Sequence, residues 1–281
     1  MTTIGFVGLG DMGSKMVPHL VKSGHRVIVY DVIGSRLEAM VDAGAEPADS
    51  PAGAARDAAV VISAVMSGDI QTAHLGPTGI LAGLRPGSLL AVLSTTTPQL
   101  LQSIAASMPE GTHLVDAPLV GGVRYAADAA LTILLAGPDA AVAIAEPVLS
   151  TFGEVVRVGP LGAGVAQKLI TNVVVMAAEA GLREALDLAD ILGQPYETTL
   201  ELLARGPMAA VTHRALDRDN PRAIRDSAVD FDVLIDAGGE GNLPISAAGR
   251  ARLWAATKSG PPAPVFFDLT THTTALPQFR S

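Results

Sequence analysis

Short apolar runs, each closed by glycine or a polar residue, alternate with stretches of helical period through the first half of the chain. Ile4-Gly5-Phe6-Val7 has the character of a buried strand. It leads into Gly8-Leu9-Gly10-Asp11-Met12-Gly13, after which Met12, Met16 and Leu20 fall on one helical stripe and Gly24 stops it. Arg26–Tyr30 predicts a second strand, closed by Asp31. Ser50-Pro51 reads as a cap followed by a proline at the first helical position. Ala59–Val65 and Leu89–Leu93 predict a third and a fourth strand, and Thr97 is the expected cap of the next helix. His113–Asp116, Leu131–Ala136 and Val155–Val158 complete the set. Between the last two, Pro138–Phe152 predicts a helix interrupted at Pro147. The stretch Ala117-Pro118-Leu119-Val120-Gly121-Gly122 shows no alternation and is expected to be irregular.

After Gly159-Pro160 the period is helical only. One pattern runs from about Leu161 to Ile191, with Gly193 as its stop and Pro195 beyond. At 1.5 Å per residue that is a rod of about 45 Å, long enough to span two domains or a subunit interface. Tyr196–Arg205, Ala228–Ala237 and Pro244–Lys258 predict further helices, and Asp217–Arg225 a charged loop. The tail from Gly260 is proline-rich, then apolar at Val265-Phe266-Phe267, and is expected to pack against a partner subunit. The chain therefore reads as an α/β domain over residues 1–160 and an all-α domain over residues 161–281.

Composition narrows the functions. The chain has 281 residues and no cysteine, which excludes a disulfide framework and thiolate metal sites. Its six histidines are scattered, without metal-ligand spacing. A net charge of −9 argues against a nucleic-acid partner. No run of about 18 uninterrupted apolar residues occurs, and the N-terminus enters a strand directly, so a soluble cytoplasmic protein without membrane contact is expected.

The glycine turn carries the first chemistry. Strand, Gly-x-Gly-x-x-Gly, helix, strand and acid form a dinucleotide-binding fingerprint, so the sheet is expected to be Rossmann-type and mostly parallel. Gly8 permits the turn, Gly10 lets backbone approach a pyrophosphate, and Gly13 lets helix and strand pack. Leu9, Asp11 and Met12 fill the turn. Asp31 is placed to accept hydrogen bonds from the adenosine ribose and to repel a 2′-phosphate. Val32 follows where an NADP site often has arginine. NAD is thus favoured, with NADP kept open by Arg36. Met66 and Thr95 leave the third and fourth strands at the edge where ligands bind. Gly121 and Gly122 can present bare N–H groups to a carboxylate.

The second chemistry lies on the long helix. Lys168 and Asn172 are four apart and share a face, and Gly164 leaves space one turn before them. Val165, Leu169, Val173 and Met176 flank the pair. A lysine so surrounded loses hydration, which draws its pKa toward a range useful for proton transfer.

With these pieces placed, the chain resembles the β-hydroxyacid dehydrogenase family, a relative of 6-phosphogluconate dehydrogenase. The resemblance rests on Phe6-Val7-Gly8-Leu9-Gly10-Asp11-Met12-Gly13, on Asp116-Ala117-Pro118-Leu119-Val120-Gly121-Gly122, and on Gly162-Ala163-Gly164 through Lys168 to Asn172. It implies an NAD(P)-dependent dehydrogenase with Lys168 as general acid/base, Asn172 orienting substrate or lysine, Gly121 and Gly122 binding the substrate carboxylate, and Thr95 near the nicotinamide. The chain departs from that pattern. Val120 stands where a serine is usual, Phe231 where a lysine precedes Asp232, and Tyr125, Ala129 and Ala130 replace small or polar residues. Val120, Tyr125 and Phe231 add apolar surface, and Arg124 is the nearby cation able to replace a lost contact. Three readings follow: a β-hydroxyacid dehydrogenase, a reductase of a bulkier aldehyde, ketone or imine, or a dinucleotide binder without turnover. The long helix and apolar tail suggest a homodimer or homotetramer through the helical domain.

Overall fold

The structure is a computed structural model that describes residues 1–219 and 222–279. Nine strands form its sheet: β1 Thr3–Val7, β2 Arg26–Tyr30, β3 Glu46–Pro47, β4 Val60–Ser63, β5 Leu89–Val92, β6 His113–Asp116, β7 Leu119–Val120, β8 Leu131–Ala136 and β9 Gly153–Gly159. The order is β3-β2-β1-β4-β5-β6-β8-β7, with β9 also paired to β8. Strands β1 to β6 are parallel, and β8 runs antiparallel to β6 and β7. Such strands are covered on both faces, which is why they read as continuous apolar runs. Residues β4 and β5 contribute are all buried.

The helices of this unit are α1 Gly13–Lys22, α2 Gly34–Asp42, α3 Pro51–Ala55, α4 Ile70–His74, α5 Ile80–Gly83, α6 Pro98–Ala106, α7 Val123–Ala127 and α8 Asp139–Leu149. Met16, Val17 and Leu20 of α1 pack with Phe6, Val29 and Ile62 in one core cluster. Ser50 Oγ accepts from Gly53 N–H, and Thr97 Oγ1 from Leu100 N–H, so both expected caps form.

The chain divides into compact units at Met1–Leu169 and Ile170–Ser281. That division falls inside α9, Ala163–Ile191, rather than at residue 160, because the first turns of α9 are bonded to the sheet unit. The second unit adds α10 Tyr196–Arg205, α11 Ala209–Leu216, α12 Ile224–Gly238 and α13 Pro244–Ser259. A mostly parallel sheet domain followed by a helical one is therefore the fold.

Several local expectations are corrected. The stretch Ala117–Gly122 contains β7, in which Leu119 pairs with Ile133 and Val120 with Thr132. Two residues are too few to show a period. Pro147 lies within α8 rather than ending it. The carbonyl that loses its N–H partner there is that of Ala143, which is exposed and can turn to water. Of the loop expected at Asp217–Arg225, α12 already begins at Ile224, while Asn220 and Pro221 lie outside the described residues. The tail forms short 3-10 turns at Phe266–Thr270, His272–Thr274 and Pro277–Phe279. Phe266 and Leu269 are buried within the helical unit itself, which removes them as a surface for a partner.

The tail is held by charge. Arg183 of α9 is fully buried and donates to the Leu269 and Thr271 carbonyls (2.8 and 2.7 Å) and to the Tyr196 hydroxyl (2.6 Å). Asp187 pairs with both Arg183 (3.3 Å) and Arg252 (2.7 Å). Arg214 pairs with buried Glu179 (2.9 Å) and lies over the Phe266 ring. Helix α9 has the length and mean hydropathy of a spanning helix. It also carries buried Glu179, Arg183 and Asp187, each paired with an arginine or an aspartate of the helical unit.

Tyr196 also donates to Asp190 Oδ2 (2.5 Å), and desolvation together with that bond pushes its pKa up to about 12. A raised tyrosine pKa means that the folded state holds the proton. The associated stability is complete below the ordinary value of about 10 and is lost as pH climbs toward 12. Tyr196→Phe should lower the unfolding free energy at pH 7 by about 1–3 kcal/mol in urea titrations, and should flatten the loss of stability above pH 10. An unchanged alkaline profile would contradict this account of the tail.

Candidate active site

The switch point of the sheet lies between β1 and β4, where strand order reverses, and ligands bind beyond the carboxyl ends of the strands there. The turn Gly8–Gly13 leaves β1 at this point. Gly8 has φ +101°, and a Cβ on it would stand 2.5 Å from the Ala64 carbonyl oxygen at the exit of β4. A Cβ on Gly13 would stand 2.0 Å from the Gly8 oxygen. Both positions therefore require glycine. Gly10 differs: a Cβ there would meet only Arg36 Nη1, at 4.0 Å. The space above Gly10 is open to a ligand. Helix α1 starts at Gly13 with no side-chain cap and no acid in its first turn, so the positive end of its dipole is left for an anion. The turn fits a pyrophosphate.

Asp31, at the end of β2, has a side chain only 5% exposed. Its Oδ2 accepts from Leu9 N–H (2.7 Å) and its Oδ1 from Ile33 N–H (2.9 Å). The carboxylate thus ties the glycine turn to β2. Arg36 Nη1 is 3.7 Å from Asp31 Oδ1, so this exposed arginine reaches the turn. Val32 is 85% exposed beside it. Asp11 and Met66 are exposed, Met12 and Thr95 half-buried, and Leu9 is buried.

Lys168 and Asn172 lie on α9, the lysine half-buried and the asparagine buried. The start of this helix has no capping residue of its own. Asp116, the buried last residue of β6, supplies the acceptors: Gly162 N–H donates to Oδ1 and Val165 N–H to Oδ2, each at 2.7 Å. Burial pushes the Asp116 carboxyl above the usual range, and the N–H groups of Gly162, Val165 and Gly164 pull it partly back. Sequence reading missed this role. The available signal was a long helical pattern preceded by Gly159-Pro160-Leu161-Gly162, with no Ser, Thr, Asp or Asn to cap it, so that its first N–H groups had to find an acceptor elsewhere.

The loop after β6 carries Val120, exposed on edge strand β7, then Gly121 with φ +125° and Gly122 at the start of α7. Arg124 and Tyr125 of α7 are exposed. His19 of α1 bonds the Ala126 and Ala127 carbonyls (3.0 and 3.1 Å), fastening this loop's helix to the helix of the glycine turn. Phe231 is not at a surface. Its ring has no exposed area and packs on Gly249, where a Cβ would come within 2.5 Å of Cζ. It fills the seam between α12 and α13 and is withdrawn as a substrate contact. Among the described residues no group of acidic or histidine side chains could hold a metal.

A mostly parallel sheet whose switch point carries a glycine turn and an uncapped helix start open to an anion is the arrangement of a dinucleotide-binding domain. The family profile for the NAD binding domain of 6-phosphogluconate dehydrogenase matches residues 3–162. The chain is 38% identical over 191 residues to a 3-hydroxyisobutyrate dehydrogenase of Pseudomonas aeruginosa, covering 67% of this chain and 64% of that protein. It is 30% identical over 264 residues to a 3-sulfolactaldehyde reductase of Escherichia coli, covering 90% and 88%. Mycobacterium tuberculosis 3-hydroxyisobutyrate dehydrogenase, solved with L-serine, superposes with a TM-score of 0.79 at 24% identity, covering 96% of this chain and 98% of that one, which shows the shared fold. The chain belongs to the β-hydroxyacid dehydrogenase family, within the 6-phosphogluconate dehydrogenase superfamily. It is an NAD(P)-dependent oxidoreductase acting on CH–OH donors.

Gly10→Val tests the reading of the turn. The substitution meets no backbone, so the thermal midpoint should stay near that of the parent protein, while affinity for NAD should fall at least about tenfold, or about 1.4 kcal/mol. Unchanged NAD binding by fluorescence titration would exclude this turn as the pyrophosphate site.

Proposed function

We propose that the protein interconverts a small β-hydroxyacid and its carbonyl form, with Lys168 as general acid/base. The observation that carries the reading is Lys168 in the second turn of a helix docked to the end of β6, one turn before buried Asn172. Bound nicotinamide would accept or supply the hydride. Lys168 Nζ takes the hydroxyl proton on oxidation and returns it on reduction. Asn172 orients the amine or the substrate oxygen. Gly121 and Gly122 offer N–H groups to the carboxylate, and Arg124 is the nearby cation. NAD is the proposed cofactor, because Asp31 would set a carboxylate against a 2′-phosphate at the ribose position, with Arg36 3.7 Å from it.

A second reading, a bulkier or less charged carbonyl substrate, is favoured by exposed Val120 and Tyr125 on the substrate loop. Phe231 no longer supports it.

Steady-state kinetics with NAD and NADP over hydroxyacids and bulkier alcohols tests these points together. Lys168→Ala should cut kcat by about 10²–10⁴-fold with NAD affinity unchanged. Near-parental turnover in the variant would discard the mechanism, a higher kcat/KM with NADP would reverse the cofactor assignment, and a preference for bulky alcohols would select the second reading.

We further propose a homodimer through α9. Ile170 and Val174 are 61% and 72% exposed, and with Ala178, Gly181, Ala185 and Leu188 they recur at helical spacing along one stripe. Small residues at its centre let a second copy of the same face approach closely, as an isologous contact requires. Val174→Asp should give a monomer by light scattering where the parent protein is a dimer. A monomeric parent, or a variant that remains dimeric, would refute this.

A further inference from the structure

We propose that Asp116 is the positioning residue for the proton-transfer lysine, an inference that rests on Lys168 being the general acid/base. Asp116 ends β6 and sends its two carboxylate oxygens to different N–H groups of the start of α9, Gly162 and Val165, each at 2.7 Å. Two anchors on separate residues fix both the axial position of the helix and its rotation. Gly164 completes the seat. A Cβ there would lie 2.5 Å from the Leu134 oxygen, 2.8 Å from Asp116 Oδ2 and 3.0 Å from Pro118 Cδ, so the helix backbone rests against β8 and the loop with no room for a side chain. Lys168 is three residues beyond Val165, about 4.5 Å along the axis. No flexible segment intervenes.

The same residue begins the other arm of the site. Asp116 is followed directly by Ala117-Pro118-Leu119-Val120-Gly121-Gly122. One buried carboxylate therefore stands at the root of both the segment that would hold the substrate carboxylate and the helix that bears the amine. Its hydrogen bonds set the separation of those two groups. A displacement of 1 Å in a reacting group can cost about 10²-fold in rate.

The test is a double-mutant cycle with Asp116→Asn. Asparagine keeps the shape but turns one acceptor oxygen into a donor facing the N–H groups of α9. The reaction followed is NAD reduction by whichever of 3-hydroxyisobutyrate, L-serine and glycerate the parent protein oxidises fastest. Asp116→Asn should lower kcat at least about tenfold with NAD affinity unchanged, and should cause no further loss in a Lys168→Ala background. Equal losses in both backgrounds, or a kcat within twofold of the parent, would overturn the proposal while a slow Lys168→Ala leaves the lysine mechanism standing. A Lys168→Ala variant as fast as the parent would bring down the lysine mechanism and this inference with it. Should Asp116→Asn not fold, hydrogen exchange of the parent protein decides. The amides of Gly162, Gly164 and Val165 should exchange as slowly as the sheet core, and exchange at the rate of an open helix end would overturn the proposal.

Discussion

A carboxylate at the end of a strand, accepting main-chain N–H groups from the segment across from it, is the interaction on which both halves of this site depend. Asp31 does this for the glycine turn through Leu9, while its other oxygen accepts locally from Ile33. Asp116 does it for α9, through Gly162 and Val165. Turns and helix starts expose donors that their own backbone cannot satisfy. Burying them requires an acceptor, and a charge-assisted bond is stronger than a neutral one. Each aspartate thereby converts an otherwise loose loop exit into a fixed edge of the sheet.

The glycines divide by what surrounds them. Gly8, Gly13 and Gly164 are places where backbone presses on backbone, and their role is to bring elements together. Gly10 faces open space, which leaves room for a ligand. The fingerprint spacing treats these positions alike, whereas the clash distances separate architecture from binding. In the helical unit the ordering is done by charge instead. Arg183 and Asp187 bind the tail to α9, and Arg214 with Glu179 closes over Phe266.

Much of this was legible in the residues. The strands β2, β6 and β8 could be bounded to the residue, because their apolar runs end abruptly at a charge, a proline or a glycine. The two-residue strands β3 and β7 could not, since a pair of residues has no period. Helix α11 was missed outright. Asp116 was noticed as part of a motif, but its partner lies 46 residues away, a distance that no local pattern spans. The misplacement of Phe231 has a different origin. Ile224, Ala228, Phe231 and Ile235 form an apolar helical stripe, which by itself places the ring in the core.

The central claim is that the α9 lysine exchanges a proton with the oxygen of the reacting carbon. A crystal structure of the protein with NAD and a non-reacting β-hydroxyacid analogue measures this most directly. The account predicts Lys168 Nζ within about 3.2 Å of the analogue's hydroxyl oxygen, with the analogue's carboxylate on the Gly121 and Gly122 amides. A hydroxyl oxygen bonded to other groups, with the lysine ammonium directed away into solvent, would contradict it.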